Sequence, residues 1–220
     1  MLPRTPEPDL MDGAEQALAY AQADFSEPHD AFVGHFRRLF PSFSAGNVLD
    51  LGCGPADISI RFCRALPAVA LTGVDGAEAM LELGRQAIER HGLSSRLALE
   101  CRYLPDPTLT PARFDAVISN SLLHHLGDPA VLWQTVTHAA KPGAPVAIMD
   151  LMRPASLDEA EQLAERYAAD APAVLRHDFY HSLLAAYRPD EIRAQLATAG
   201  LGHFAVEAVS DRHLLIWGNR

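Results

Sequence analysis

The run Val48-Leu49-Asp50-Leu51-Gly52-Cys53-Gly54-Pro55 constrains the fold more than any other stretch of this chain. Three apolar residues and one acid lead into two glycines, and the amphipathic segment Ile58 to Leu66 follows. A buried strand that turns on glycine and continues as a helix brings bare backbone up to a ligand. The next apolar run, Val69-Ala70-Leu71-Thr72-Gly73-Val74, is closed by Asp75. An acid at the end of the second strand is placed to accept hydrogen bonds from ribose hydroxyls. Together the two signals point to a nucleoside-containing cofactor.

The choice lies between a dinucleotide and S-adenosylmethionine. A dinucleotide turn reads G-x-G-x-x-G, its third glycine letting the helix close on the strand with the pyrophosphate at the helix N-terminus. Here Asp57 stands in the third glycine position. A carboxylate there repels a pyrophosphate and suits a cofactor carrying an ammonium and a sulfonium. At these residues the chain resembles the class I S-adenosylmethionine-dependent methyltransferases of small-molecule type. Their first motif looks like hydrophobic-Leu-Asp-hydrophobic-Gly-x-Gly.

Three further segments resemble the same family in order: Gly73 to Leu81 as the acidic ribose loop and its helix, Phe114 to Leu126 as the fourth strand and active-site edge, and Lys141 to Asp150 as the turn and fifth strand. The resemblance spans roughly residues 46 to 151. It implies an α/β fold with a Rossmann-like, doubly wound sheet of seven strands, mostly parallel with the last antiparallel. N-terminal helices and a helical cap insertion between strands 5 and 6 complete the expected architecture. By resemblance, Asp50 and the backbone of Gly52, Cys53 and Gly54 hold the methionyl part of the cofactor. Asp75 takes the ribose hydroxyls, Gly76 or Ala77 flanks the ring, and Asn120 and Ser121 lie near the sulfonium. Glu100-Cys101-Arg102 stands where the family often has Asp-Ala beside the adenine, which leaves the adenine contact of Cys101 and Arg102 open.

Methyl transfer from a sulfonium is an in-line displacement with a good leaving group, so the protein mainly aligns nucleophile and methyl and excludes water. It requires no metal. Histidine titrates near neutrality, which makes His124 and His125 candidate bases. The bland alternative has one histidine hydrogen-bonded beneath the sheet end and the other bordering the pocket.

The periodicity predicts strands near 47–51, 69–74, 96–101, 114–118 and 145–150, with helices near 57–66, 77–91 and 129–139. Such alternation argues a parallel sheet covered on both faces. One domain is expected. Residues 1–45 form a helical extension or lid, 46–151 the cofactor core, 152–188 the cap, and 189–220 a last helix and a strand hairpin. Within the extension, residues 13 to 21 have helical spacing. The turn Ser26-Glu27-Pro28 precedes a helix carrying Phe32, Phe36 and Phe40, stopped by Pro41. The proline-rich and acidic Met1 to Asp12 reads as loose. Ser156-Leu157-Asp158-Glu159 is a capping box, opening a helix with Leu157, Leu163 and Tyr167 on one side.

Leu151 to Arg188 is far longer than an ordinary connection and is where acceptor identity is expected to reside. Its Phe179, Tyr180, His181 and Tyr187 are candidate pocket residues, Tyr180 and His181 with a catalytic part, although aromatics of this kind also serve to anchor a cap on the core. Tyr20 and Phe25 are candidates for the opposite wall. Arg153 is a candidate anion clamp, or else an ordinary surface arginine.

The charge balance is 18 Lys and Arg against 28 Asp and Glu, a formal net charge of −10. Lys141 is the only lysine, and the arginines are scattered. No basic face is present to displace counterions from phosphates, which argues against nucleic-acid substrates. The expected partner is a small-molecule acceptor with an O, N or S nucleophile, with no membrane and with a monomer or homodimer as the assembly. Cys53, Cys63 and Cys101 lack metal-ligand spacing; with no signal peptide or long apolar span they read as reduced, buried thiols in a cytoplasmic protein. Alternatives remain. These are methylation of a protein or tRNA nucleoside, modification of the cofactor itself, a fold retained for binding alone, and a nicotinamide dehydrogenase.

Overall fold

The computed structural model describes residues 2–7 and 13–220. Strands β1 (Ala45–Leu51), β2 (Ala68–Asp75), β3 (Leu97–Cys101), β4 (Ala116–Asn120), β5 (Pro145–Leu151), β6 (Ala205–Ala208) and β7 (His213–Asn219) form one sheet in the order β3-β2-β1-β4-β5-β7-β6. The first five pair in parallel, and β7 runs antiparallel to both β5 and β6. The strand order reverses between β1 and β4. A crevice opens beyond the carboxyl ends of such a strand pair, because the chains leave them in opposite directions.

Among the described residues the chain forms eight α-helices: α1 (Ala14–Gln22), α2 (Ser26–Leu39), α3 (Asp57–Ala65), α4 (Glu78–Arg90), α5 (Ala130–Ala139), α6 (Leu157–Ala168), α7 (Ala173–Ala185) and α8 (Pro189–Thr198). Strand period decides which face each residue serves. Leu49 and Leu51 pack with Trp133 and Val136 of α5 and Ile192 and Leu196 of α8. Val48, one residue out of phase, packs with Phe32 and Phe36 of α2, Phe62 of α3 and Ile88 of α4. Asp50 shares the phase of Val48 and therefore faces α3. Among the described residues no helix is long and apolar enough to cross a membrane.

Several expectations need correction. Ser26-Glu27-Pro28 is the first turn of α2 rather than a turn before it; first-turn amides have no intrahelical acceptor, so proline costs nothing there. β4 begins at Ala116 rather than 114, with Phe114 held by a single bridge to Ala140. Leu157 and Tyr167 of α6 are 49% and 41% exposed rather than buried with their helix face. Arg212 stacks 3.3 Å from the Tyr167 ring centroid, and the Tyr167 hydroxyl donates to Asp211 at 2.8 Å. Cys101 is exposed, since it ends the edge strand β3. The N-terminal segment, read as loose, is docked over Leu2–Glu7: Thr5 N–H donates to Leu184 O at 3.0 Å and Arg4 Nε to Ala185 O at 2.6 Å. Met1 and 8–12 lie outside the described residues.

The cap between β5 and β6 consists of α6 packed on α7. Ser156 Oγ accepts from Glu159 N–H at 3.2 Å, while the Glu159 carboxylate reaches back to Ala155 N–H at 2.7 Å. Replacing Ser156 with alanine removes this cap and is expected to cost about 1 kcal/mol. Urea unfolding of the two proteins measures it.

Candidate active site

At the switch point the Gly52–Gly54 turn is held entirely by its own chain. Gly52 N–H and Cys53 N–H both donate to Val74 O, at 2.8 and 3.1 Å, and Gly54 N–H donates to Asp75 Oδ2 at 2.8 Å. Gly52 has φ +71°, and a Cβ there would lie 2.9 Å from Leu122 Cβ, so both conformation and space demand glycine. Gly73 permits the close approach of β2, since a Cβ would meet Leu99 at 2.7 Å and Cys53 Sγ at 2.8 Å. With its three amides spent on Val74 and Asp75, the turn has no Gly52, Cys53 or Gly54 N–H left for a pyrophosphate, which needs such donors.

Around the turn stand two acids. Asp50 is 2% exposed and takes the Ser59 hydroxyl at 2.5 Å. Burial pushes its carboxyl up to about 7, with the Ser59 hydrogen bond opposing. Asp75 accepts from Gly54 N–H and from Ala77 N–H, the latter at 2.8 Å, and burial raises it as well. Asn120 ends β4 across the crevice. Its Nδ2 donates to Ser121 Oγ at 3.1 Å, while its buried Oδ1 has no hydrogen-bond partner. An orphaned buried acceptor carries a desolvation cost that a donor on a ligand would remove. Ser121 itself has φ +56° and is held by Met149 O.

Comparison with known proteins gives the family. Residues 48–143 match a family model described as a methyltransferase domain. The chain is 29% identical over 120 residues to a demethylmenaquinone methyltransferase of Porphyromonas gingivalis, covering 54% of this chain and 49% of that protein. It is 31% identical over 173 residues to a ubiquinone biosynthesis O-methyltransferase of Bordetella bronchiseptica, covering 77% of this chain and 67% of that one. This chain belongs to the class I S-adenosylmethionine-dependent methyltransferases. The fold agrees with the crystal structure of a SAM-dependent methyltransferase from Aquifex aeolicus, with a TM-score of 0.68 at 15% identity over 94% of this chain and 98% of that chain. The match reaches about half the length of the Porphyromonas relative.

In this methyltransferase α1 closes one side of the crevice. Ala17 of α1 packs with Ala77 and Met80 of α4, with Tyr20 beside them. Burial pushes the Tyr20 hydroxyl up to about 12, and the nearby charges of Asp75 and Asp57 add to the rise. Phe25 bridges Tyr20 and His29 at ring-centroid distances of 4.8 and 5.5 Å. His29 Nδ1 meets Asp57 Oδ2 at 2.6 Å. Although burial opposes it, the His29 and Arg61 partners bring Asp57 down to about 2, so the acid at the third glycine position is charged.

At the other side, the 3-10 turn Leu123–His125 follows β4. His124 is 2% exposed, and its Nδ1 lies 2.6 Å from Asp150 Oδ1. Asp150 also accepts from Leu123 N–H at 2.7 Å and Leu151 N–H at 2.8 Å. Burial works to lower His124, and the Asp150 carboxylate outweighs it, leaving His124 above its ordinary value. His125 stacks on His124 at 4.0 Å between centroids, and its Nδ1 meets Glu7 Oε2 at 2.6 Å. One histidine is thus tied beneath the sheet end while the other stands at the rim. Ligand-type atoms of Glu7, His124 and His125 lie within 4.8 Å of one another. A divalent cation there would have to break the Glu7–His125 contact.

Other candidates are placed elsewhere. Arg153 is 5% exposed, neither a surface arginine nor an open clamp. Its guanidinium is committed to Leu2 O at 3.1 Å, Ala186 O at 2.9 Å and Glu191 Oε1 at 2.5 Å. Phe179 packs against Leu151, Leu163 and Leu183 as a cap anchor. Tyr180 lines an open cleft of about 390 Å³ between α6 and α7, with Glu161, Glu165 and His177. Asp178 and Ser182 of α7 instead touch the N-terminal region, at Gln16 and Glu7. At about 100° of helix per residue, Tyr180 is turned away from that face, and it is not brought together with His124. His181 stacks on His177 at 4.2 Å. Tyr187 is buried beneath the Arg4 guanidinium, 4.2 Å from its ring centroid. Arg102 is held by Glu100 and Asp106, while its backbone N–H donates to Asp75 O at 2.9 Å.

Sequence reasoning passed over Glu7, Arg4 and the side-chain role of Asp150. Asp150 had a signal, an acid closing the otherwise apolar Val146-Ala147-Ile148-Met149. Glu7 had none.

Proposed function

We propose that this protein transfers the methyl group of S-adenosylmethionine to the O, N or S nucleophile of a small molecule by in-line displacement. The observation that carries the reading is the turn whose Gly52, Cys53 and Gly54 amides are all spent internally, facing the orphaned Asn120 Oδ1. Asp50, the turn carbonyls and Asn120 would hold the methionyl end. Asp75 would take the ribose hydroxyls, with Gly76 and Ala77 beside the ring. When bound, the cofactor supplies an electrophilic methyl on a sulfonium. The chain's own share is to orient the acceptor, keep water out through the N-terminal segment, and hold the acceptor's proton. The acidic charge balance and the two quinone-pathway relatives support a small acceptor over a nucleic acid.

Calorimetric titration with S-adenosylmethionine, S-adenosylhomocysteine and NAD tests the reading. Binding of both adenosyl compounds without NAD is expected; binding of NAD, or of nothing, would sink it.

A proton linkage should accompany binding. Asp50 is held up to about 7 by burial, against about 3.9 for an unfolded aspartate. Folding therefore favours its protonated form, and the native state loses stability as pH rises from the unfolded value to the folded one. A cationic ligand beside Asp50 favours the carboxylate instead. Cofactor binding near pH 7 is thus expected to release up to about half a proton from Asp50, and affinity should rise between about pH 5 and 7.5. Calorimetry in buffers of different ionisation enthalpy measures the release, and zero release at pH 6.5 would remove Asp50 from contact with the cation.

A further inference from the structure

The docked N-terminal segment delivers one functional group to the candidate site. Arg4 Nη2 donates to His124 O at 2.9 Å, Arg4 Nε to Ala185 O at 2.6 Å, and Thr5 N–H to Leu184 O at 3.0 Å. These anchors bring Glu7 Oε2 to His125 Nδ1 at 2.6 Å, while Ser182 Oγ donates to Glu7 Oε1 at 2.7 Å. Two histidine rings therefore lie 4.0 Å apart, each met at Nδ1 by a carboxylate. The pairs differ in access. The His124 and Asp150 side chains are each 2% exposed, whereas His125 keeps 25% and Glu7 12%.

Resting on the methyl-transfer reading, we propose that Glu7 is a positioning residue that holds His125 as the base for a protic acceptor. An Nδ1–H donated to a carboxylate leaves the ring's lone pair on Nε2 and steadies the imidazolium that forms when Nε2 is protonated. As the acceptor's lone pair bonds to the methyl carbon, the methyl–sulfur pair stays on sulfur and the acceptor's proton passes to His125 Nε2. Glu7 balances that charge until the proton returns to water. The inner pair is the frame, because Asp150 is fully used by His124, Leu123 and Leu151. The outer pair is closed by a segment far away in the chain, so the base is oriented only while that segment is docked.

The test compares wild type, Glu7→Ala and Glu7→Gln, each saturated with S-adenosylhomocysteine. Ring ¹⁵N shifts of His125 are expected to report Nδ1–H in wild type and in Glu7→Gln, which keeps an acceptor oxygen. A mixture of tautomers is expected in Glu7→Ala, with cofactor affinity unchanged within two-fold throughout. With a simple phenol and an alkyl thiol as probe acceptors, phenol turnover in Glu7→Gln should fall about ten- to a hundred-fold through kcat. That deficit should shrink as pH approaches about 10, where the phenol ionises unaided. Thiol turnover should fall less, because a thiol ionises near about 8.5. An unchanged His125 ring in Glu7→Ala would overturn the proposal even with cofactor affinity intact. So would equal losses for phenol and thiol at every pH. Failure of the wild type to bind S-adenosylhomocysteine would instead strike the methyl-transfer reading beneath it.

Discussion

Asp75→Ala is expected to weaken S-adenosylmethionine binding by about 1.5–3 kcal/mol, roughly ten- to more than a hundred-fold. Two losses coincide in this variant. The carboxylate is the proposed partner of the ribose hydroxyls, and contacts of hydroxyls to a charged acceptor belong to the stronger class. It also receives Gly54 N–H from the turn after β1 and Ala77 N–H from the loop after β2. Alanine would free the glycine turn as well as the ribose. Asp75→Asn separates the two effects, since an amide keeps one acceptor oxygen for the backbone and presents an N–H₂ where the second oxygen stood. Its affinity should fall between wild type and alanine. Titration calorimetry reads both variants, and unchanged affinity in Asp75→Ala would remove this residue from the cofactor site.

Asp150→Ala is expected to cost about 3–5 kcal/mol of stability, the scale for removing one partner of a buried pair, and to lower Tm by about 6–20 °C. It strands three donors in the core: Leu123 N–H, Leu151 N–H and His124 Nδ1. Because the carboxylate holds His124 above its ordinary value against the pull of burial, the pair's contribution has a pH signature. A histidine raised on folding contributes fully below its unfolded value of about 6.5, and that share fades as pH rises through the folded value. The gap between wild type and Asp150→Ala should therefore be widest in mild acid and narrow towards alkaline pH. Urea unfolding at several pH values measures it. A gap that is flat with pH would mean that His124 is neutral throughout.

Much of the core was legible because its signals are local. The apolar run to Leu51, the glycines at 52 and 54, and Asp75 closing β2 lie within one strand–turn–helix–strand unit. Their spacing reflects dihedral needs and strand period that neighbouring residues impose. Asp57 in the third glycine position already argued against a pyrophosphate, and the structure adds that the turn's amides are spent on Val74 and Asp75. The cap was less legible. Tyr180, His181 and Phe179 share an aromatic-rich stretch, but a helix distributes consecutive residues around its axis, so Phe179 faces the core and Tyr180 the α6 cleft. Arg153 was misread for a related reason, since only packing shows that each of its three guanidinium nitrogens is engaged, by Leu2, Ala186 and Glu191.

By itself, the sequence determined the alternating α/β architecture, the glycine turn and the acid that faces it, because period, glycine and chain-end chemistry act over a few residues. Only the tertiary structure decided which carboxylate serves which histidine. Asp150 reaches His124 from the next strand, across 26 residues of sequence, and Arg4 reaches His124 O across 120. A hydrogen bond of a few ångströms depends on where the whole chain has placed its two ends, and no local pattern encodes that meeting.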